Sequence, residues 1–361
     1  MPHYKSHIPF LVAVWLVLGL PSLLAQQGGM NSPEKIFGKN FSLTVDPTSG
    51  TLSYHFSEST NELESILAKR KVHLVSDLME LNCDELSYDG KTSKVKATGS
   101  PIRIIQNKIS AECGVFSFDP VSGRSELLES PQIITRDEQN HKIRTKGKKI
   151  FIERQQTGDT MILIEGYAKL TSEVDEPTSP GATRSNGVKN DLFDSAFEID
   201  TGEKGEILYA FRENDLRSIV ARNEVSIVSR QLNLSCSRLE FNNEKKMFVA
   251  SGKPVIITQQ TLSAECGRLE YYPDDGKYLL LEDPVIMNRD REGAIVETRG
   301  EKIILLQTKG MGTSILVEGN PQFIAEAAEK EKIQGEKTEP KPIRIDENNV
   351  DQIKNLDIIQ D

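Results

Sequence analysis

The sequence is poor in the residues that most catalytic and metal sites require. Its 361 residues include only five histidines and four cysteines, and no histidine follows residue 141. No CxxC spacing is present, so a zinc site built on paired cysteines is not predicted. A glycine-rich phosphate loop and a nucleophile elbow are also missing. These absences predict a protein that is not an enzyme and that uses no cofactor and no metal.

The chain also has no block of positive charge. Its 44 Lys and Arg residues are outnumbered by 54 Asp and Glu residues, which gives a formal net charge of -10. Because binding to nucleic acid requires a basic face, nucleic acid is excluded as an expected partner. Hydrophobic residues make up only 37% of the chain. This proportion favours thin β layers over a thick globular core.

Only one long apolar run is present, and it lies at the N-terminus. It extends from Ile8 to Leu24, is interrupted by Pro21, and is followed by Ala25. Residues 1–25 are therefore predicted to be a cleaved secretory signal peptide, with export to the periplasm. The alternative is an inner-membrane anchor that faces the periplasm, but the 13 residues before the proline are fewer than the ~20 that a spanning helix needs.

The remaining chain contains two copies of one unit. Val72–Gly166 aligns with Val225–Gly319 at a constant offset of 153 residues, with about a third of the positions identical. We predict repeats at 36–170 and 191–323, joined by a linker at 171–190 that is rich in Pro, Ser, Thr and Gly. Residues 324–361 are charged and are predicted to be a partly helical or disordered tail.

Within each copy a shorter rung recurs, with the pattern apolar-x-small-x-x-apolar-x-aromatic or aliphatic. In copy one the rungs are Leu81, Cys83, Leu86, Tyr88; Ala111, Cys113, Phe116, Phe118; and Thr145, Gly147, Ile150, Ile152. Alternation with period two is typical of a strand with one buried face. The alternation slips by one after the small residue, which predicts a bend or bulge there. A Gly-x-Pro element follows, as in Gly99–Pro101. It is interpreted as a turn or as part of an edge strand.

These patterns resemble those of the OstA-like periplasmic lipopolysaccharide-transport family. The resemblance is carried by the string small-x-x-apolar-x-Tyr followed by apolar-x-x-Gly-x-Pro, as in Cys83–Ile104 and Cys236–Ile257. It implies an all-β protein of two tandem antiparallel β-jellyroll domains that hold the acyl chains of lipopolysaccharide or a related lipid. It also implies stacking on other OstA-like transport components through strand edges. A structural or adaptor protein of the cell envelope that binds no lipid is the alternative function.

The inward positions of the rungs are the candidates for a lipid groove. In the first copy they are Val72, Leu74, Leu81, Leu86, Tyr88, Ile102, Ile104, Phe116 and Phe118. In the second copy they are Val225, Ile227, Leu234, Leu239, Phe241, Val255, Ile257, Leu269 and Tyr271. An ordinary closed core would show the same pattern, because buried apolar side chains usually pack against each other.

The four cysteines occupy matching positions in the two copies. Export to an oxidising compartment makes disulfides between Cys83 and Cys113 and between Cys236 and Cys266 one hypothesis. The other is that all four are small buried thiols, since Gly147 takes the same place in the third rung.

Overall fold

The computed structural model describes most of the two repeats. The described residues are Phe37, 40–59, 62–77, 79–106, 109–136, 142–155, 157–173, 196–212, 215–229, 232–259, 262–289, 294–308 and 312–326. The predicted signal peptide and most of the predicted linker and tail lie outside these ranges. Short parts of the predicted linker and of the predicted tail are described. Thr171–Glu173 belong to one strand, and residues 324–326 belong to another.

The described chain is an all-β protein in which every described strand pairing is antiparallel, so the predicted all-β class with antiparallel sheets is confirmed. The strands up to the middle of the second repeat are β1 (Phe41–Thr44), β2 (Thr51–Phe56), β3 (Leu63–Ser76), β4 (Glu80–Asp89), β5 (Lys94–Gln106), β6 (Ile109–Asp119), β7 (Arg124–Leu128), β8 (Gln132–Arg136), β9 (Lys142–Lys146), β10 (Lys149–Arg154), β11 (Thr160–Glu165), β12 (Lys169–Glu173), β13 (Phe197–Asp200), β14 (Glu206–Arg212) and β15 (Asp215–Ser229). The later strands are β16 (Asn233–Asn242), β17 (Met247–Gln259), β18 (Leu262–Tyr272), β19 (Lys277–Leu281), β20 (Val285–Arg289), β21 (Ile295–Arg299), β22 (Lys302–Thr308), β23 (Gly312–Glu318) and β24 (Gln322–Glu326).

The chain divides into two compact units. The first comprises the chain up to Arg230 together with Arg238–Met247, and the second comprises Gln231–Ser237 and the chain from Phe248. The boundary therefore lies after β15 and not at the start of the second repeat. The reason is that β13 and β14, which open the second repeat, pair with β12 and β11 of the first.

In the first unit the strands form two rows that share the long strands. One row runs β2, β3, β4, β5, β6, β7, β10, β11, β14, β15. The other runs β1, β3, β4, β5, β6, β8, β9, β12, β13, β15. Each long strand contributes one half to each row, because its register shifts near its middle. Both rows continue without a break from the first repeat into the second.

The register shifts lie where the rung pattern predicts a bend. On β4 the pairing with β5 is interrupted between Asn82 and Glu85, next to Cys83. On β3 the interruption is at Arg70 and Lys71, whose φ angles of 70° and 47° are left-handed. Such bulges bend a strand and increase its twist, which allows one strand to belong to two rows.

The Gly-x-Pro element differs from its prediction. Gly99, Ser100 and Pro101 lie inside β5, in the interruption of its pairing with β6 between Thr98 and Ile102. The element is therefore a bulge in a strand that is paired on both sides, and not a turn or an edge. A proline is tolerated there because the bulged residues make no ladder pairs.

The third rung bends by breaking into two strands. Gly147 lies between β9 and β10, and a Cβ atom at this position would be 2.5 Å from Cγ2 of Ile164 and 3.1 Å from the carbonyl oxygen of Glu165. Gly300 takes the same place in the second repeat, against Val317 and Glu318. A residue without a side chain is required at this corner because the next strand passes directly over it.

Candidate functional site

The predicted groove residues form the inner face of the sheet. All eighteen are buried, with exposed fractions between 0% and 9%. Their inward orientation agrees with the rung pattern, while their role in lipid contact stays a prediction.

In the first unit the inner face is built from ladders of directly opposite residues. One ladder runs across nine strands, from β3 to β15, and each of its members is buried. Its members are Ala68, Leu86, Ala97, Phe116, Leu127, Ile150, Ile164, Ile207 and Ala221. With strands about 4.8 Å apart, nine strands extend roughly 38 Å. The first unit therefore contains a continuous apolar wall. This wall passes through the joint between the repeats, where β11 pairs with β14 and β12 pairs with β13.

Two further ladders flank the first. One contains Ile66, Tyr88, Val95, Phe118, Ser125, Ile152, Ile162, Tyr209 and Ile219. The other lies in the second row and contains Leu74, Leu81, Ile104, Ala111, Ile133, Thr145, Leu170, Ile199 and Ile227. All of these residues are buried.

The second unit repeats this arrangement. Ala250, Leu269, Leu280, Ile303 and Val317 form one of its ladders. A second ladder contains Ile257, Ala264, Ile286, Thr298 and Phe323. Its last member, Phe323, is 57% exposed, although the others are buried. The ladder therefore ends with an aromatic side chain in solvent.

Few polar groups face the interior of the first unit. The hydroxyl groups of Thr145 and Tyr209 lie 3.1 Å apart and form a buried hydrogen bond between the two rows. Burial raises the pKa of the Tyr209 hydroxyl, and the bond to Thr145 offsets part of that increase. The hydroxyl of Ser125 is buried with no hydrogen-bond partner among the described residues. Thr160 and Ser172 are also buried, so the interior of the first unit is mainly apolar and contains a few polar side chains.

Phe37 is an inward residue that the rung pattern does not predict. It is 1% exposed, and its ring centroid lies 5.3 Å from that of Phe41 and 6.1 Å from that of Tyr88. It precedes β1 and packs against a predicted groove residue at the N-terminal end of the first unit. The spacing of Phe37 and Phe41 recurs at Phe193 and Phe197, and this recurrence was the available signal.

All four cysteines are buried, and none of them forms a disulfide in the structure. Cys83 lies on β4 and Cys113 on β6, with β5 between them. Two strand spacings amount to about 9.6 Å, which exceeds the ~7 Å that a disulfide can bridge. Burial raises the pKa of the Cys83 and Cys113 thiols to about 12 and that of the Cys266 thiol to about 11. The geometry favours the buried-thiol hypothesis over the disulfide hypothesis.

Several acidic side chains of the described ranges lie in bulges and turns. Asp84 accepts a hydrogen bond from the backbone N–H of Ser100 within the bulge, at 3.3 Å. Asp274 and Asp275 lie in the turn between β18 and β19. Within the described ranges no group of three or more His, Cys, Asp or Glu side chains could hold a metal ion. A search of the described residues also finds no helix long and apolar enough to span a bilayer.

Comparison with known proteins adds little to this geometry. No family model matches the chain, and no curated protein matches it. Among solved structures it is similar to LptH from Pseudomonas aeruginosa, described as the LptA-homologous periplasmic component of the conserved lipopolysaccharide transport device. The TM-score is 0.29 and the identity is 13%, over 38% of this chain and 97% of LptH. A likeness of this size carries no argument about what the present chain binds.

Proposed function

We propose that this chain is a non-catalytic periplasmic protein that carries lipopolysaccharide or a related lipid, with the acyl chains held against the inner face of the sheet. The observation that carries the proposal is the buried ladder from Ala68 to Ala221, which is apolar in all nine strands and crosses the joint between the repeats. Acyl chains require an extended apolar wall with few polar groups, and these ladders supply one. The ligand class comes from the resemblance of the rungs to the lipopolysaccharide-transport family.

The proposed function includes export and assembly. Residues 1–25 act as a cleaved signal peptide, and the mature protein contributes to outer-membrane assembly. It stacks on other OstA-like components through the edges of its sheet, where unpaired backbone groups can accept another strand.

Photo-crosslinking tests the proposal directly. Phe118 is buried on the inner face, while its neighbour Ser117 points to the other side of β6. A photoreactive benzoylphenylalanine at position 118 should form adducts with lipid in the envelope of the host, and mass spectrometry should assign them to lipopolysaccharide species. The same group at position 117 is the matched control and should give none.

The outcome also decides between the two candidate functions. Adducts at 118 whose mass corresponds to another lipid would keep the carrier function and change its ligand. Folded protein that forms no lipid adduct at 118 would contradict the proposal and favour the structural or adaptor protein of the envelope.

A further inference from the structure

The two repeats have closely matching inner faces in the row that contains Thr145 in the first repeat. Four consecutive members of its ladder are identical at an offset of 153 residues. They are Ile104, Ala111, Ile133 and Thr145 in the first repeat, and Ile257, Ala264, Ile286 and Thr298 in the second. A difference in what the two interiors hold is therefore expected in the other row.

In that other row, the flanking ladder differs between the repeats. Its consecutive members on β5, β6 and β7 of the first repeat are Val95, Phe118 and Ser125. Their equivalents on β17, β18 and β19 of the second repeat are Phe248, Tyr271 and Tyr278. All six are buried. Two small side chains of the first repeat are thus replaced by aromatic rings in the second.

The three rings of the second repeat form a continuous aromatic stack. The ring centroids of Phe248 and Tyr271 lie 5.9 Å apart, with 30° between the ring planes. Those of Tyr271 and Tyr278 lie 4.2 Å apart, with 20° between the planes. Burial raises the pKa of the Tyr278 hydroxyl, and a hydrogen bond with the Tyr271 side chain offsets part of that increase. The ring and the hydroxyl of Tyr278 therefore both have partners inside the second repeat.

The equivalent position of the first repeat is packed less favourably. Ser125 has no ring to stack on its neighbour, and its buried Oγ has no hydrogen-bond partner among the described residues. A buried hydroxyl without a partner destabilises the closed interior. The central ladder differs in the opposite sense, by smaller volumes, at Phe116 and Ile164, whose equivalents are Leu269 and Val317. The largest single difference between the two interiors is therefore Ser125 against Tyr278.

This difference affects how easily each interior can open. The inner residues of both repeats are buried, so an acyl chain can reach either interior only where side chains separate. Separating the rings of the aromatic stack forfeits their stacking and the roughly 150–250 Å² of surface that each aromatic side chain buries. The first repeat gives up only smaller contacts at Val95 and Ser125, and it therefore opens at lower cost.

We propose that acyl chains enter the first repeat, and that the aromatic stack of Phe248, Tyr271 and Tyr278 keeps the second repeat closed. The second repeat is then a packed support, and the side chains at positions 95 and 125, with their equivalents at 248 and 278, decide which repeat takes lipid. This inference rests on the proposed lipid-carrying function and assigns its binding site to one of the two repeats.

Photolabelling of the mature chain, from Gln26 onward, tests the assignment. The probe is palmitate that carries a diazirine in its acyl chain, and mass spectrometry after irradiation and proteolysis locates the adducts. We expect peptides from β5–β7 to be labelled at least about ten-fold more than peptides from β17–β19, because the two stacked ring contacts correspond to a factor of this order.

Exchange of side chains between the repeats tests their role. Phe248→Val with Tyr278→Ser gives the second repeat the side chains of the first and should raise its labelling about ten-fold. Val95→Phe with Ser125→Tyr should remove labelling from the first repeat. Tyr278→Phe keeps the ring and Ser125→Ala keeps the small volume, so both are matched controls and should leave labelling unchanged. Circular dichroism checks that each variant keeps its β structure.

The outcomes separate this inference from the proposed function. Equal labelling of the two repeats in the parent would overturn it, even if lipid adducts form at position 118. A folded variant with Phe248→Val and Tyr278→Ser whose second repeat stays unlabelled would also overturn it, and so would a folded variant with Val95→Phe and Ser125→Tyr that keeps its labelling. Absence of labelling in both repeats, together with no adducts at position 118, would contradict the lipid-carrying function as well.

Discussion

The hydroxyl groups of Thr145 and Tyr209 lie 3.1 Å apart and connect two strands on opposite sides of the inter-repeat segment. Thr145 belongs to β9 in the first repeat, and Tyr209 belongs to β14 in the second. Both side chains are buried. The bond therefore joins the second repeat to the first within the mainly apolar interior, where the low dielectric strengthens a hydrogen bond.

Removal of this bond should destabilise the first unit. We expect Tyr209→Phe to lower the free energy of unfolding by about 1 kcal/mol, because the Thr145 hydroxyl loses its partner in a buried site. Thr145→Val should have a similar effect, and the double variant should cost less than the sum of the two. Denaturant titration of dilute protein measures all three. Tyr54→Phe is the control and should leave stability unchanged, because Tyr54, which corresponds to Tyr209 at an offset of 155 residues, is 60% exposed. Strictly additive single effects would show that the two hydroxyls are not coupled.

The interior should respond to overpacking. Ala97 is fully buried and lies between Leu86 and Phe116 in the central ladder. Ala97→Leu should lower the free energy of unfolding by about 1–3 kcal/mol in lipid-free protein, and it should reduce lipid crosslinking at position 118. Lys96→Leu, on the outer face of the same strand, should change stability by less than about 0.5 kcal/mol. If Ala97→Leu changed neither stability nor crosslinking, the ladder would not be the lipid-contacting wall.

The corner glycines should not tolerate a side chain. At Gly147 an added methyl group would be 2.5 Å from Cγ2 of Ile164, so the neighbouring strand must move. We expect Gly147→Ala to cost about 1–3 kcal/mol of stability, and Gly300→Ala to have a similar effect in the second unit. Thermal and denaturant unfolding of the single variants checks this. Unchanged stability would mean that the corner can open without loss of packing.

The buried thiols should make the protein sensitive to alkaline pH. Burial raises the pKa of Cys83 and Cys113 from 9.0 to about 12. Between these values the unfolded chain releases its thiol protons while the folded chain keeps them, so stability is complete below about pH 9 and falls as the pH rises above it. Each thiol contributes at most about 1.4 kcal/mol per pH unit.

The measurement is the free energy of unfolding, under reducing conditions, at a series of pH values above the unfolded thiol pKa. The variant with Cys83→Ala and Cys113→Ala should lose stability less steeply over this range than the parent. Buried tyrosines with raised pKa values, such as Tyr209, add to the slope only above about pH 10 and are the same in both proteins. Equal slopes would contradict the assignment of this pH dependence to the two thiols.

The local pattern of the sequence determined the strands and their inner faces. The period-two alternation with a slip after each small residue predicted the bends, and all eighteen predicted inward residues are buried, because a pleated strand sends alternate side chains to opposite faces. The constant offset between the repeats also predicted matching strands in the two copies, such as β4 and β16. These features depend on neighbours in the chain, which a sequence displays directly.

The tertiary structure decided how distant strands combine. The placement of β13 and β14 on β12 and β11, the two rows with shared long strands, and the bond between Thr145 and Tyr209 all depend on pairing across many residues, which local alternation does not specify. The same reason explains why Gly99–Pro101 was expected at a turn but lies in a bulge, and why Cys83 and Cys113 are separated by β5. The ladders and the joint between the repeats became visible only when strand order and register were known.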